Sequence, residues 1–252
     1  MKNVFDLTGR RAMVTGANTG IGQGIAISLA EAGAEILAVG RSSMAGTRAA
    51  VEAAGGTLRE ISADLGDTGR VAAAFDAAWD AHGPIDILVN NAGIIRRADA
   101  VDFSEDDWDA VMDVNLKSVF LLCQAFARKS FAAGRSGRIV NVASLLSFQG
   151  GIRVASYTAS KSGLAGLTKL LANEWAAKGI NVNAIAPGYI ETNNTEALRA
   201  DPVRREDILK RIPAGRWGQA SDIGGTAVFL ASDAATYVHG AVIPVDGGWL
   251  AR

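Results

Sequence analysis

Arg11-Ala12-Met13-Val14-Thr15-Gly16-Ala17-Asn18-Thr19-Gly20-Ile21-Gly22 is the stretch on which the reading of this chain turns. Arg11 to Thr15 is a short apolar run of strand length, glycines break the run that follows, and a helical pattern takes over near Gly20. Glycine permits a tight turn and lets backbone amides approach a pyrophosphate lying on the positive end of a helix. A glycine-rich turn alone is a weak signal, because many tight loops use glycine for purely structural reasons. Its position after the first strand of a strand-helix-strand unit strengthens it. Gly16, Asn18, Thr19, Gly20, Ile21 and Gly22 are therefore expected to contact a dinucleotide.

Outward from this turn, apolar runs rich in valine and isoleucine alternate with longer helical patterns. The expected strands are Arg11 to Thr15, Glu35 to Val39, Thr57 to Ser62, Asp86 to Asn90, Gly137 to Val142, Asn181 to Ala186 and Ala241 to Val245. Helices fill the gaps, among them Gly20 to Ala32, Thr68 to His82, Glu105 to Ala132 and Tyr157 to Lys178. The pattern predicts an α/β fold, a doubly wound parallel sheet of about seven strands with helices on both faces. With 252 residues and no repeat, low-complexity tract or linker, one domain spanning 1–252 is expected. One long polar stretch, Pro187 to about Pro213, reads as an irregular loop of the kind that forms lids and binding segments.

Composition narrows the partners. A formal net charge of -1 provides no field for nucleic acid or an anionic membrane. No apolar run reads as long enough to span a bilayer, and the start Met1, Lys2, Asn3, Asp6 lacks the pattern of a secretory leader. The single cysteine, Cys123, cannot form an intrachain disulfide and points to the reducing cytoplasm; in its apolar run it reads as a buried small hydrophobe rather than a nucleophile. His82 and His239 lack acidic or cysteine partners at ligand spacing, so no metal is expected.

The second expected strand ends in Val39-Gly40-Arg41-Ser42. A dinucleotide fold that binds ribose hydroxyls usually carries an acid here, whereas an arginine accommodates a 2′-phosphate. The acid is missing and Arg41 stands beside its place, which favours NADP; an exposed loop arginine is the alternative.

Tyr157 and Lys161 are one helical turn apart and share a face. An ammonium near a phenol stabilises the phenolate, lowering a pKa of ~10 toward working pH, so the hydroxyl can exchange a proton with an alcohol or ketone. As a bare pair this spacing is common, and its weight comes from company. Ser144 follows the strand ending at Val142, where active groups of open α/β sheets gather, and could hold a substrate oxygen; Ser147 is the nearby competitor. Asn90-Asn91-Ala92-Gly93 ends the fourth strand with small residues that would let a cofactor lie close. Asn115 falls inside a long helix, a mildly unfavourable place that hints at a polar role.

Together, these motifs, with Asp64 in Ala63-Asp64-Leu65 and Pro187-Gly188, resemble the short-chain dehydrogenase/reductase family over essentially the whole chain. The resemblance implies a catalytic tetrad of Asn115, Ser144, Tyr157 and Lys161, with Asn115 anchoring a proton-relaying water. It implies cofactor contacts from Arg41, Asp64, Leu65, Asn91, Ala92, Gly93, Tyr157, Lys161, Pro187, Gly188, Ile190 and Thr192. Family members commonly form tetramers through the helices matching Glu105 to Ala132 and Tyr157 to Lys178; burial within one subunit is the other explanation of their apolar character.

Ile94-Ile95-Arg96-Arg97, Ser147-Phe148-Gln149-Gly150-Gly151-Ile152-Arg153, Thr192-Asn193-Asn194-Thr195, Ile212 to Trp217 and Asp246 to Arg252 are similar to a narrower sugar-acid group of uronate and pectin breakdown. This implies a small-molecule substrate, a keto or hydroxy 3-deoxy or 2-deoxy sugar acid, and by precedent NAD, against which Arg41 tilts toward NADP. A carboxylate calls for an arginine and hydroxyls call for amides, so Ser144, Gln149, Arg97, Arg153 and Asn194 are the expected substrate groups, Arg216 and Arg252 weaker ones. Arg97 and Arg153 could each equally be an ordinary surface charge or a subunit contact. The other readings are a dehydrogenase of another polyol, hydroxysteroid or ketoacyl thioester, and a dinucleotide sensor without catalysis.

Overall fold

Strands β1 (Arg11–Thr15), β2 (Glu35–Gly40), β3 (Leu58–Ser62), β4 (Ile87–Asn90), β5 (Gly137–Val142), β6 (Ile180–Pro187) and β7 (Val242–Val245) make one parallel sheet in the order β3-β2-β1-β4-β5-β6-β7. This is the architecture of a computed structural model that describes residues 3–252. The start from which no leader was expected, Met1 and Lys2, lies outside the described residues.

Side chains alternate across the sheet because successive residues of a strand point to opposite faces. Ala12, Val14, Ile36, Ala38, Ile87, Val89, Val140 and Ile185 enter one core; Met13, Leu37, Leu88, Ile139 and Val182 enter the other. Both faces are covered, so β4, β5 and β6 are buried along their whole length rather than on alternate residues.

Among the described residues the α-helices are α1 (Gly20–Glu31), α2 (Ala45–Ala53), α3 (Val71–His82), α4 (Glu105–Met112), α5 (Ser118–Ala132), α6 (Ala155–Trp175), α7 (Glu196–Ala200), α8 (Pro202–Arg211) and α9 (Ala220–Ala231). Residues of α1 and α9 fill the first core, and residues of α3, α5 and α6 the second. The α1–α9 crossing is close. A Cβ on Gly24 would come within 2.8 Å of Ala220, and one on Gly224 would overlap the Ser28 hydroxyl.

Three expectations are corrected. The helix Glu105 to Ala132 is interrupted by a π-helical turn, Asp113–Lys117; wide turns of this kind favour functional positions. Pro187 to Pro213 is not irregular, since Asp201 caps α8 by accepting from Val203 N and Arg204 N and Pro202 takes its first turn. The segment Glu105–Ala132 is also long and apolar enough, by length and composition, to cross a bilayer; half of its apolar window is buried within the fold, as in a core helix.

Candidate active site

The sheet order reverses between β1 and β4, where the chain leaves the carboxyl ends of neighbouring strands in opposite directions. A cleft of about 390 Å³ opens there. It is lined by the turn Gly16 to Gly22, by Arg41, Asp64, Leu65, Asn91, Ala92 and Gly93, by Ser144, Tyr157 and Lys161, and by Pro187, Gly188, Ile190, Thr192 and Asn194.

The turn is stitched to β4 from beneath. Thr15 Oγ1 accepts from Asn91 N and Ala92 N, both at 3.0 Å, and Asn91 Nδ2 donates to Thr15 O at 2.9 Å. A Cβ on Gly22 would overlap the Gly16 carbonyl and the Asn91 amide, so only glycine fits. Thr19, the N-cap of α1, makes no side-chain capping bond. The opening amides of α1 therefore face the cleft at the positive end of the helix, suited to a phosphate.

At the far end of the cleft, Arg41 Nη1 lies 3.1 Å from Asp64 Oδ2. Asp64 Oδ1 accepts from Gly66 N at 2.8 Å. That backbone bond, opposed by partial burial and aided by Arg41, holds the Asp64 carboxyl below its usual range.

At the near end, the loop after β5 and the first turns of α6 meet. Ser144 lies close enough to the Tyr157 hydroxyl to favour its ionised form, and Ser144 Oγ accepts from Leu146 N at 3.2 Å. Ser147 points elsewhere, donating to the Lys161 carbonyl at 2.7 Å, which separates the two serines. Burial pushes the Tyr157 hydroxyl above its ordinary pKa, with Ser144 and the Arg97 charge pulling the other way. Lys161 Nζ, 4 % exposed as a residue, donates to Val142 O at 2.6 Å, and burial brings its pKa down to about 8. The expected lowering of the tyrosine by Lys161 is thus reversed in this state: burial dominates, and the ammonium is turned to a carbonyl.

Asn115, fully buried in the π turn, does not line the cleft. Its Oδ1 accepts from Ile94 N at 2.8 Å and its Nδ2 donates to Ile94 O at 2.9 Å, clamping the loop after β4. The side chain is committed to that clamp, so the implied water would have to be held by other atoms.

The expected substrate groups divide. Asn194 lines the cleft, and Arg97 at its rim donates to Asn194 O at 3.3 Å. Gln149 lies outside the cleft lining, and its Oε1 accepts from Trp249 Nε1 at 3.2 Å. Arg153 is not among the cleft-lining residues: it has φ 62° and pairs with Asp99 at 3.2 Å. Arg216 is bound to Asp222 at 2.7 Å, and Arg252 donates to Lys210 O at 2.7 Å. Residues not anticipated also line the cleft, notably Ser42, Ala63, Gly66, Val114 and Asn193. Ser42 adjoins Arg41 at the second strand end, Ala63, Gly66 and Asn193 adjoin residues that the family resemblance had marked, and Val114 adjoins Asn115.

A second unanticipated feature adjoins the cleft. Leu145, Ile208, Ile212, Trp217 and Trp249 form a small separate core, against which Tyr189 packs with its ring 5.4 Å from Trp217 and 4.7 Å from Trp249.

A family model described as Enoyl-(Acyl carrier protein) reductase matches residues 16–250. A 2-dehydro-3-deoxy-D-gluconate 5-dehydrogenase from Dickeya dadantii is 56% identical over 99% of this chain and 99% of its own. An Agrobacterium tumefaciens protein provisionally named 2-deoxy-D-gluconate 3-dehydrogenase, solved with bound NADP, superposes with a TM-score of 0.95 at 65% identity, covering 100% of both chains. A gluconate 5-dehydrogenase from Burkholderia cenocepacia, solved with NADP and tartrate, gives 0.94 at 42% identity, covering 99% of this chain and 98% of its own.

Proposed function

Because the chain belongs to the short-chain dehydrogenase/reductase family, we propose that it is an NAD(P)-dependent oxidoreductase reducing a diketo 3-deoxy sugar acid to its hydroxy form, or running the corresponding oxidation. The observation that carries this reading is the convergence of Ser144, Tyr157 and Lys161 on the same cleft as the glycine turn. Relatives named for 2-dehydro-3-deoxy-D-gluconate at 55% and 56% identity support the substrate.

The residues present fit a dinucleotide. The uncapped start of α1 and the glycine contacts at Gly22 suit a pyrophosphate, Asn91 to Gly93 and Pro187 to Thr192 border the nicotinamide end, and Asp64 the adenine end. Arg41 is placed for a 2′-phosphate, which favours NADP. When bound, the cofactor supplies or accepts the hydride.

The chain's own groups handle the rest. Ser144 Oγ and Tyr157 Oη, which line the same cleft, both bind the substrate carbonyl oxygen. Two donors aimed at that oxygen stabilise the negative charge it gains. Tyr157 Oη then gives its proton to this oxygen, and the Lys161 ammonium stabilises the phenolate left behind. Asn115 positions the floor of the site through Ile94. Arg97 and Asn194 on the rim, with Gln149 beside it, receive the carboxylate and hydroxyls. The segment 187–213 covers the substrate side of a single 1–252 domain.

Three wider readings follow from this one. Pectin and uronate breakdown is the setting such a substrate implies. Cys123, buried with its thiol pushed up to about 12, suits a reducing cytoplasm. An apolar groove lined by Met112, Leu116, Phe120, Gly163, Leu167 and Leu170 supports assembly with further copies as a tetramer.

The test is loss of reduced-nicotinamide absorbance during turnover of the diketo acid, with NADH and NADPH in parallel. Turnover by the parent and its loss by at least ~10²-fold in Tyr157→Phe, with cofactor binding retained, are expected. Near-normal turnover in that variant would overturn the mechanism. Turnover only of gluconate or a polyol would favour the alternative suggested by the gluconate 5-dehydrogenase and galactitol 2-dehydrogenase relatives.

A further inference from the structure

The chain ends in a turn that its sequence specifies closely. Gly247 and Gly248 adopt φ of 63° and 90°, a region that favours glycine, and a Cβ on either would crowd Ile212 or Pro213. The Asp246 carboxylate accepts from Gly248 N and Leu250 N, both at 2.9 Å. The turn after β7 thereby delivers Trp249 into the small core beside the cleft, where it is 4 % exposed. The Tyr189 ring lies 4.7 Å away, and the Arg211 guanidinium at the end of α8 lies 3.9 Å over the indole.

An indole so fixed has one polar atom, and it faces Gln149. Trp249 Nε1 donates to Gln149 Oε1 at 3.2 Å. Because an indole nitrogen donates and never accepts, it must meet the amide oxygen, which leaves the amide nitrogen facing away. Gln149 lies on the loop that begins at Ser144, and its own backbone N–H donates to Leu145 O at 3.1 Å. Among the described residues, no protein acceptor is bonded to Gln149 Nε2.

We propose that Trp249 is a positioning residue for substrate recognition: by holding Gln149 Oε1, it presents Gln149 Nε2 as a donor to a carboxylate or hydroxyl oxygen of the substrate. This rests on the reading of Gln149 as a substrate group. An unrestrained amide offers donor or acceptor with equal ease and loses rotamer freedom on binding. A restrained one offers only the donor, and so selects for an oxygen acceptor on the substrate. The contacts also join α8, through Arg211, to the loop that carries Ser144.

Steady-state kinetics on the diketo 3-deoxy acid with NADPH test this in the parent, Trp249→Phe, Gln149→Ala and the double variant. Phenylalanine keeps a buried aromatic ring and removes the donor. The expected result is a rise in substrate KM of roughly fivefold to tenfold in either single variant, with kcat and the KM for NADPH within about twofold, and no further rise in the double variant. Effects that multiply in the double variant would overturn the proposal, since Trp249 would then act by packing alone. An effect of Gln149→Ala without one of Trp249→Phe also overturns it, while leaving Gln149 a substrate group. No effect of Gln149→Ala, or an inert parent, removes the reading beneath it. Should Trp249→Phe fail to fold, Gln149→Glu serves instead: it keeps the acceptor for Trp249 and has no donor, so a KM equal to the parent's would overturn the proposal.

Discussion

The ammonium of Lys161 lies 5.7 Å from the centre of the Tyr157 ring, and its hydrogen bond runs to the Val142 carbonyl rather than to the phenol. The two residues share a helix face, yet in this state each is perturbed by burial more than by the other. A tyrosine held protonated is the form needed to donate a proton to a ketone. A lysine brought down to about 8 is close to losing its charge at mildly alkaline pH.

Lys161 should make stability depend on pH. Its folded pKa of about 8 lies below the ordinary 10.5, so the unfolded chain holds the proton more tightly. The penalty of about 3 kcal/mol is full below the folded value and is relieved as pH rises through 8 toward 10.5. Comparing Tm of Lys161→Met with that of the parent from pH 7 to 10.5 should show a difference that moves against the variant as pH rises. A difference independent of pH would contradict the burial argument. Turnover should be lost throughout.

Arg97 lowers the Tyr157 pKa from the rim of the cleft. Ketone reduction requires the protonated phenol, so kcat/KM falls as pH rises through that pKa. In Arg97→Ala the alkaline limb should move to higher pH, because the charge favouring phenolate is gone. Substrate KM should rise by roughly 10- to 100-fold if Arg97 also holds the carboxylate. An unmoved limb with a raised KM would leave it a binding group only.

Arg41 should set cofactor preference. Arg41→Ala is expected to raise the KM for NADPH by roughly tenfold or more and to leave that for NADH within about twofold. Equal effects on both would assign Arg41 to the ribose or adenine instead. Asp64, whose carboxylate competes for the same guanidinium, should show the opposite trend when changed to asparagine, with a lower KM for NADPH.

The α1–α9 crossing offers a stability test remote from the chemistry. Gly224→Ala would drive a methyl into Ser28, with an expected cost of about 1–3 kcal/mol and a fall in Tm of several degrees. Kinetic constants per folded molecule should be unchanged, and Ser28→Gly in the same chain should recover part of the loss. A Gly224→Ala variant as stable as the parent would mean that the crossing can open freely.

The strands were legible because both faces of the sheet are buried, which makes Ile36 to Val39 apolar throughout and Ile180 to Ala186 apolar apart from the buried Asn181 and Asn183. The part of the cleft lined by the glycine turn was legible for a related reason, since clefts in open parallel sheets form at the carboxyl ends of the strands. Helices α2 and α9 gave weaker signals. Only Thr47 and Val51 of α2 are buried, and α9 carries Gly224 and Gly225, which oppose helix formation in isolation but at Gly224 permit the contact with Ser28. The substrate side was least legible. Gln149, Arg153 and Trp249 are placed by long-range partners, and Arg153 found its own in Asp99. The break at Asp113–Lys117 lies in a sequence that would equally suit an unbroken helix.

The sheet order also governs how this molecule comes into being. Every strand pairs with a partner reached through a helical crossover, and the central pair joins Ala12 to Ile87. No hairpin can form early as a seed. During synthesis, β1 has β2 on one flank while its other edge waits for β4 to emerge. Such a chain is expected to fold slowly and to be most prone to aggregation while that edge is open.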